Sequence, residues 1–100
     1  MPFILEVKEE ARQDIADVMK WYASKVESLD KKFLKAVEET LFRIQKNPFA
    51  FKKIYKTFRQ TSVRKFPYVI LYKPEDKNVV IFSAFNTWQH PKKKFSRIRK

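Results

Sequence analysis

The sequence predicts an α+β domain in the order strand, helix, helix and three strands, with both helices on one face of a mainly antiparallel sheet. Three observations lead there. Residues 63–85 form two consecutive stretches dense in β-branched and aromatic residues, separated by Pro74-Glu75-Asp76-Lys77-Asn78. Residues 9–46 place apolar side chains at helical spacing, with a break at Glu27-Ser28. Residues 3–7 have the pattern of a short opening strand.

Taken in order, Phe3 to Val7 is expected to pair with the later hairpin. From Glu9 onward the period changes, and Ala11, Ile15, Val18, Tyr22 and Val26 fall on one helical face, widened by Met19 and Ala23. Glu9 and Glu10 in the first turn suit the helix dipole, while Lys8 stands where a capping Ser or Asp is usual. The second helix, Leu29 to Lys46, has the stripe Phe33, Val37, Leu41 and Ile44, and Glu39 precedes Arg43 by the spacing that favours an ion pair. Asn47-Pro48 ends it. The short join predicts an antiparallel helix pair. Phe49 to Phe58 is a basic and aromatic connector without a clear period, either loop or extended chain. Arg59 to Lys65 alternates as a strand, and Phe66-Pro67 leads into the hairpin, proline sitting at a strand start or bulge. The hairpin strands are Val63 to Lys73 and Asn78 to Phe85, and their weak alternation means that both faces need at least partial cover.

One hundred residues make one small domain with a single core. Residues 1–91 are expected to form it, with 92–100 as a basic tail. The chain has no cysteine, which excludes disulfides, thiolate metal sites and cysteine nucleophiles and agrees with a reducing compartment such as the cytoplasm. It has no glycine either, so a phosphate-cradling nucleotide loop cannot be written in it. No cofactor or metal is expected. Neither an export signal nor a membrane span is indicated.

The charge is lopsided. Residues 1–46 hold nine Lys or Arg and nine Asp or Glu, whereas residues 47–100 hold fourteen basic residues against Glu75 and Asp76. The whole net charge of +12 therefore belongs to the second half, which predicts an anionic partner, a polyanion or an acidic protein.

Single residues carry competing readings. His90, the lone histidine, is a candidate general base beside Tyr72 or Arg64, yet a histidine before proline in a Lys-rich stretch is more simply solvent-exposed. Arg59 and Arg64 stand at the two ends of one expected strand and suit phosphate or a partner's carboxylate; Lys65 follows directly. The plainer role of such arginines is to keep a sheet edge soluble. Lys52, Lys53 and Lys56 interleaved with Phe51, Tyr55 and Phe58 resemble a single-strand nucleic-acid surface, although these rings more simply close the core. Trp21 and Tyr22 are adjacent on one helix and cannot share a core face, which makes Trp21 a candidate interface anchor. Trp88, Lys92, Lys93 and Lys94 are further candidates for binding an acidic target, the tail otherwise being a solvated arm. The helix carboxylates form no paired acid and base.

The order of elements, together with Arg64, Phe66, Pro67, Tyr68, Ile70 and Tyr72 in an Arg-x-Phe-Pro-Tyr-x-Ile-x-Tyr run, resembles the RelE/ParE superfamily of toxins from type II toxin–antitoxin systems. The resemblance covers nearly the whole chain and includes Glu10, Ala11, Asp14 and Ile15 after the first strand, Asn47-Pro48 after the helices, and a His-Pro near the C-terminus. It implies a cytoplasmic toxin held inactive by a cognate antitoxin, as a homodimer or a toxin–antitoxin hetero-oligomer.

The superfamily has two branches. Members resembling RelE cut messenger RNA on the ribosome without a metal, using cationic and aromatic side chains; members resembling ParE poison DNA gyrase. Where the ribonucleolytic members place cations, this chain has Val69, Gln60 and Ser62, none is present near Trp88, and Asn86 stands where a histidine often follows the last strand. Neutral replacements forfeit the stabilisation of developing charge, worth a few kcal/mol per donor. The expectation is thus a ParE-like, plasmid-stabilisation type of protein inhibiting gyrase by binding, without enzymatic activity. The alternatives are a RelE-like endoribonuclease with an altered centre of Arg59, Arg64, Tyr72 and His90, and a non-toxic relative that only binds protein or nucleic acid.

Overall fold

The computed structural model describes residues 3–87. β1 (Ile4–Val7) is followed by α1 (Glu9–Lys25), α2 (Leu29–Lys46), β2 (Lys52–Tyr55), β3 (Phe58–Ser62), β4 (Tyr68–Glu75) and β5 (Asn78–Asn86). The five strands form one mixed sheet in the order β1-β5-β4-β3-β2. β1 lies parallel to β5, with Leu5 opposite Val79, and the other neighbours are antiparallel. This is the expected α+β arrangement with one strand more, since the connector contributes β2 and makes the meander four-stranded.

Both helices pack on one face. Ala11, Tyr22, Phe33, Val37 and Ile44 meet Tyr68, Ile70, Tyr72, Val79, Ile81 and Ala84 in the main core. α1 ends at Lys25, one residue before the end of its apolar stripe, so Val26 is extended and 56% exposed. Ala23 is exposed as well. On α2 the buried line is Phe33, Val37, Thr40 and Ile44, with Leu41 half-buried. Thr40 belongs there because its hydroxyl donates to the Ala36 carbonyl at 2.8 Å, leaving no buried polar atom unmet. Arg43 makes no ion pair with Glu39 and donates instead to Thr40 Oγ1 and the Ser62 carbonyl. The expected helix-surface ion pair gives way to a tie between α2 and the end of β3.

Two boundaries differ from the sequence reading. Residues 63–67 are a turn between β3 and β4, closed by Val63 N–H on the Tyr68 carbonyl (2.9 Å) and Phe66 N–H on the Val63 carbonyl (3.2 Å), with Lys65 at φ 69°. Val63 is 1% exposed, so its strand-like character reflects burial of a turn in the core. At the other end, Pro74 and Glu75 continue β4, and the turn is only Asp76-Lys77. β3 pairing stops at Tyr72, so a residue without an N–H is tolerated at Pro74. Without glycine, the positive-φ positions fall to Ser28, Lys56, Lys65 and Asp76.

The turn is fastened by aromatic rings. Phe66 lies 5.3 Å from Tyr22 and 5.1 Å from Phe33, and Tyr68 lies 5.3 Å from Phe33, mostly edge-on. The Phe-Pro-Tyr run is therefore the point where the sheet is bolted to the helix pair, each ring contact adding about 1 kcal/mol to the burial.

Candidate functional site

Two of the sequence candidates meet. Arg59 and Tyr72 are cross-strand partners on the helix-side face. The Tyr72 hydroxyl donates to the Pro48 carbonyl at 2.6 Å, and the Arg59 guanidinium donates to the carbonyls of Phe49 (3.2 Å) and Phe51 (2.7 Å) while lying over the Phe49 ring. Tyr72 is fully buried, and burial pushes its phenol up to about 12, Arg59 acting more weakly in the opposite direction. Both side chains thus hold the segment that leaves α2. Arg64 and Lys65 lie exposed in the β3–β4 turn, beyond the strand, and do not converge with Arg59. His90, Trp88, Lys92, Lys93 and Lys94, and the boundary at residue 91, lie outside the described residues.

The sheet's other face carries Phe58, Val69, Leu71 and Phe85, with Ile54 and Phe82 packed against them. Gln60 opposes Leu71 and Ser62 opposes Val69, so the three neutral positions singled out in the sequence are neighbours on this one apolar face. Lys73 and Lys8 stand at its margin, over the rings of Phe58 and Phe82.

A cleft of about 410 Å³ lies between α2 and the β3–β4 turn, lined by Lys35, Glu38, Glu39, Phe42, Arg43 and Arg64. Phe42 is 60% exposed there, with the Lys46 ammonium 5.5 Å from its ring centre. The sequence reading passed over Phe42, although an aromatic ring beside Leu41 and off the apolar stripe was a visible signal. Trp21 is 54% exposed on α1, edge-on to Tyr22 and under Lys25. Tyr22 is buried, which raises its phenol, with a smaller contribution from Tyr68.

Asp14, quoted in the sequence only as part of a pattern, also gains a physical task. Leu71 opposes Ser83 and Tyr72 opposes Ile81, so Phe82 is an extra residue in β5 and forms a bulge. Asp14 Oδ2 accepts from Ser83 Oγ at 2.6 Å and from the Ala84 N–H at 3.1 Å. The carboxylate pins the bulge to α1. Among the described residues no cluster of metal-ligating side chains occurs, and no helix is long and apolar enough to cross a membrane.

Residues 5–86 match the family model described as the ParE toxin of the type II toxin–antitoxin system parDE. The chain belongs to the ParE toxin family. It is a type II toxin by that membership, within the RelE/ParE superfamily. Solved structures share the fold at low identity. A chain of the chromosomal ParDE system from P. aeruginosa aligns at TM-score 0.75 and 15% identity, over 84% of this chain and 95% of that one. A chain of the RelBE2 toxin–antitoxin complex from Mycobacterium tuberculosis aligns at TM-score 0.63 and 22% identity, over 86% and 99%. A mutant of the E. coli toxin RelE in the free state aligns at TM-score 0.67 and 15% identity, over 97% and 94%. No curated protein sequence matches the chain. ParE and RelE toxins share this fold, so the backbone alone does not separate the two branches.

Proposed function

We propose that this ParE-family chain acts by binding DNA gyrase and blocking it, in the cytoplasm, and that a cognate acidic antitoxin neutralises it. The observation that carries the choice of branch is the neutral cluster of Gln60, Ser62 and Val69 on the sheet face away from the helices. Metal-independent RNA cleavage requires cationic donors aimed at the charge that develops on phosphate and leaving oxygen, each worth a few kcal/mol. Here Gln60, Ser62 and Val69 are neutral and adjacent, and Arg59 on the same strand is turned to the opposite face and occupied by two carbonyls. Tyr72, which an RNA-cleaving centre would use as a proton donor or acceptor, is buried with its hydroxyl committed to Pro48.

The antitoxin reading draws on the family and on the ParDE and RelBE2 systems among the fold neighbours. The cleft beside Phe42 offers an apolar anchor point with mixed charge around it, Lys35, Arg43 and Arg64 against Glu38 and Glu39, which suits a segment that sets an apolar side chain on the exposed ring and carboxylates toward the three cations. The charge of +12 draws such a partner in.

The deciding experiment induces the chain in bacteria without antitoxin and follows pulse-labelled DNA and protein synthesis in the first minutes. Early arrest of DNA synthesis, with inhibition of purified gyrase, is expected. Early arrest of translation with cleaved messenger RNA would replace this reading with the endonuclease.

A further inference from the structure

β2 is the outermost strand on one side of the sheet. From Thr40 to Pro74 the chain has nine Lys or Arg and no Asp or Glu. Four of the nine fall on the β2–β3 hairpin: Lys52, Lys53 and Lys56 are exposed, and Arg59 stands directly across from Lys53. Like charges placed opposite each other in a sheet are destabilising. Among the described residues the ion pair is Lys73 with Glu75, and no carboxylate there is paired with Lys53 or Arg59.

Aromatic rings share this edge. Phe49 is 58% and Tyr55 37% exposed, with the Arg59 guanidinium 5.3 Å from the Phe49 ring centre and the Lys56 ammonium 5.4 Å from that of Tyr55. Of the rings that interleave with these lysines in sequence, Phe51 and Phe58 pack into the two clusters, and Tyr55 stays at the surface. Lysine alone is the usual protection of an edge strand, and exposed rings work against that protection because they invite association. Cations beside exposed rings are instead the combination that holds an unpaired polynucleotide, whose phosphates meet the charges while its bases stack on the rings.

We propose that the β2–β3 hairpin is a docking edge for single-stranded DNA, with Lys52, Lys53 and Lys56 on phosphates and Phe49 and Tyr55 against bases. A duplex fits less well, since its bases are stacked on one another and offer the rings no face. The choice of DNA over RNA rests on the proposed gyrase target, an enzyme that works on DNA; the choice of an unpaired strand does not. Arg59 donates to the Phe49 and Phe51 carbonyls and so positions the Phe49 ring. Exposed lysines on flexible stems hold phosphate without the fixed geometry that cleavage needs, so the edge adds binding and no nuclease centre. β2 also lies outside the strands that carry Gln60, Ser62 and Val69.

The test titrates the full chain, without gyrase or antitoxin, into a labelled oligothymidylate of about 15 nucleotides and reads fluorescence anisotropy. Replacing Lys52, Lys53 and Lys56 together by Gln should weaken binding at least tenfold at about 50 mM salt and lower the slope of log affinity against log salt by about 2. Lys20→Gln with Lys31→Gln and Lys32→Gln removes the same charge from exposed helix positions and should leave most of the affinity and the slope. Tyr55→Leu should weaken binding about fivefold or more with the slope unchanged, which a purely electrostatic surface would not do. Urea midpoints should match the parent's, because the replaced side chains are exposed. Equal losses in the edge and helix variants would overturn the proposal, as would a duplex of the same length binding as tightly, or oligouridylate binding more tightly. With gyrase absent from the titration, DNA binding and gyrase inhibition can fail separately.

Discussion

Arg59 and Tyr72 oppose each other across β3 and β4 and grip the same stretch of backbone, Tyr72 through the Pro48 carbonyl and Arg59 through those of Phe49 and Phe51. Removing either hand leaves carbonyls without that donor. Tyr72→Phe should lower stability by about 1–2 kcal/mol and Arg59→Met by about 2 kcal/mol. Urea unfolding measures both, and the double variant should lose less than the sum because the two residues hold one segment.

The Tyr72 phenol also sets a pH dependence. Its folded pKa is raised to about 12 from 10, so the folded state disfavours the phenolate. The contribution is fully present below pH 10 and is lost as pH rises from 10 through 12. Absorbance titration should show a late phenol step that Tyr72→Phe abolishes, and that variant should lose less stability between those pH values than the parent chain.

Asp14→Ala should be costlier than its half-exposed position implies. It removes the acceptor shared by Ser83 Oγ and the Ala84 N–H at the bulge, and Ser83 is fully buried. A loss of about 2–3 kcal/mol is expected, with Asp14→Asn losing less because its amide oxygen can still accept. Hydrogen exchange at Ala84 should accelerate in Asp14→Ala ahead of the rest of β5.

The helices and the hairpin were legible because their signals are local: apolar spacing on α1 and α2, and β-branched runs in β4 and β5. β2 was not, since its pattern of exposed Lys52 and Lys53 beside half-buried Ile54 comes from an edge strand, where half the alternation is lost to solvent. Val63 misled because a buried turn and a buried strand select the same side chains. Among the site residues, exposure of Trp21 followed from its adjacency to Tyr22. The inward turn of Arg59 could not be foreseen, because its partners are backbone carbonyls, which leave no mark in sequence.

Ser28 offers a stabilising change. It sits at φ 67° and ψ 1° without a side-chain cap bond to α2, and a left-handed non-glycine residue carries about 1 kcal/mol of strain. Ser28→Gly should add about 0.5 kcal/mol once the greater freedom of the unfolded chain is deducted. Thermal melting should rise by a few degrees, whereas Lys20→Gly, inside α1, should lower it by a similar or larger amount.

The cleft between α2 and the β3–β4 turn makes the antitoxin reading testable one residue at a time. An anchor ring and a rim cation contribute differently to an interface, the first to the dissociation rate and the second to association and its salt dependence. Phe42→Ala should therefore speed dissociation of the antitoxin tenfold or more with little change in salt dependence. Arg64→Glu should slow association and flatten the dependence on ionic strength. Trp21→Ala tests the exposed ring on α1 in the same assay. If Phe42→Ala and Arg64→Glu both leave the rates unchanged while Trp21→Ala does not, the antitoxin lies along α1 and the cleft is not its seat.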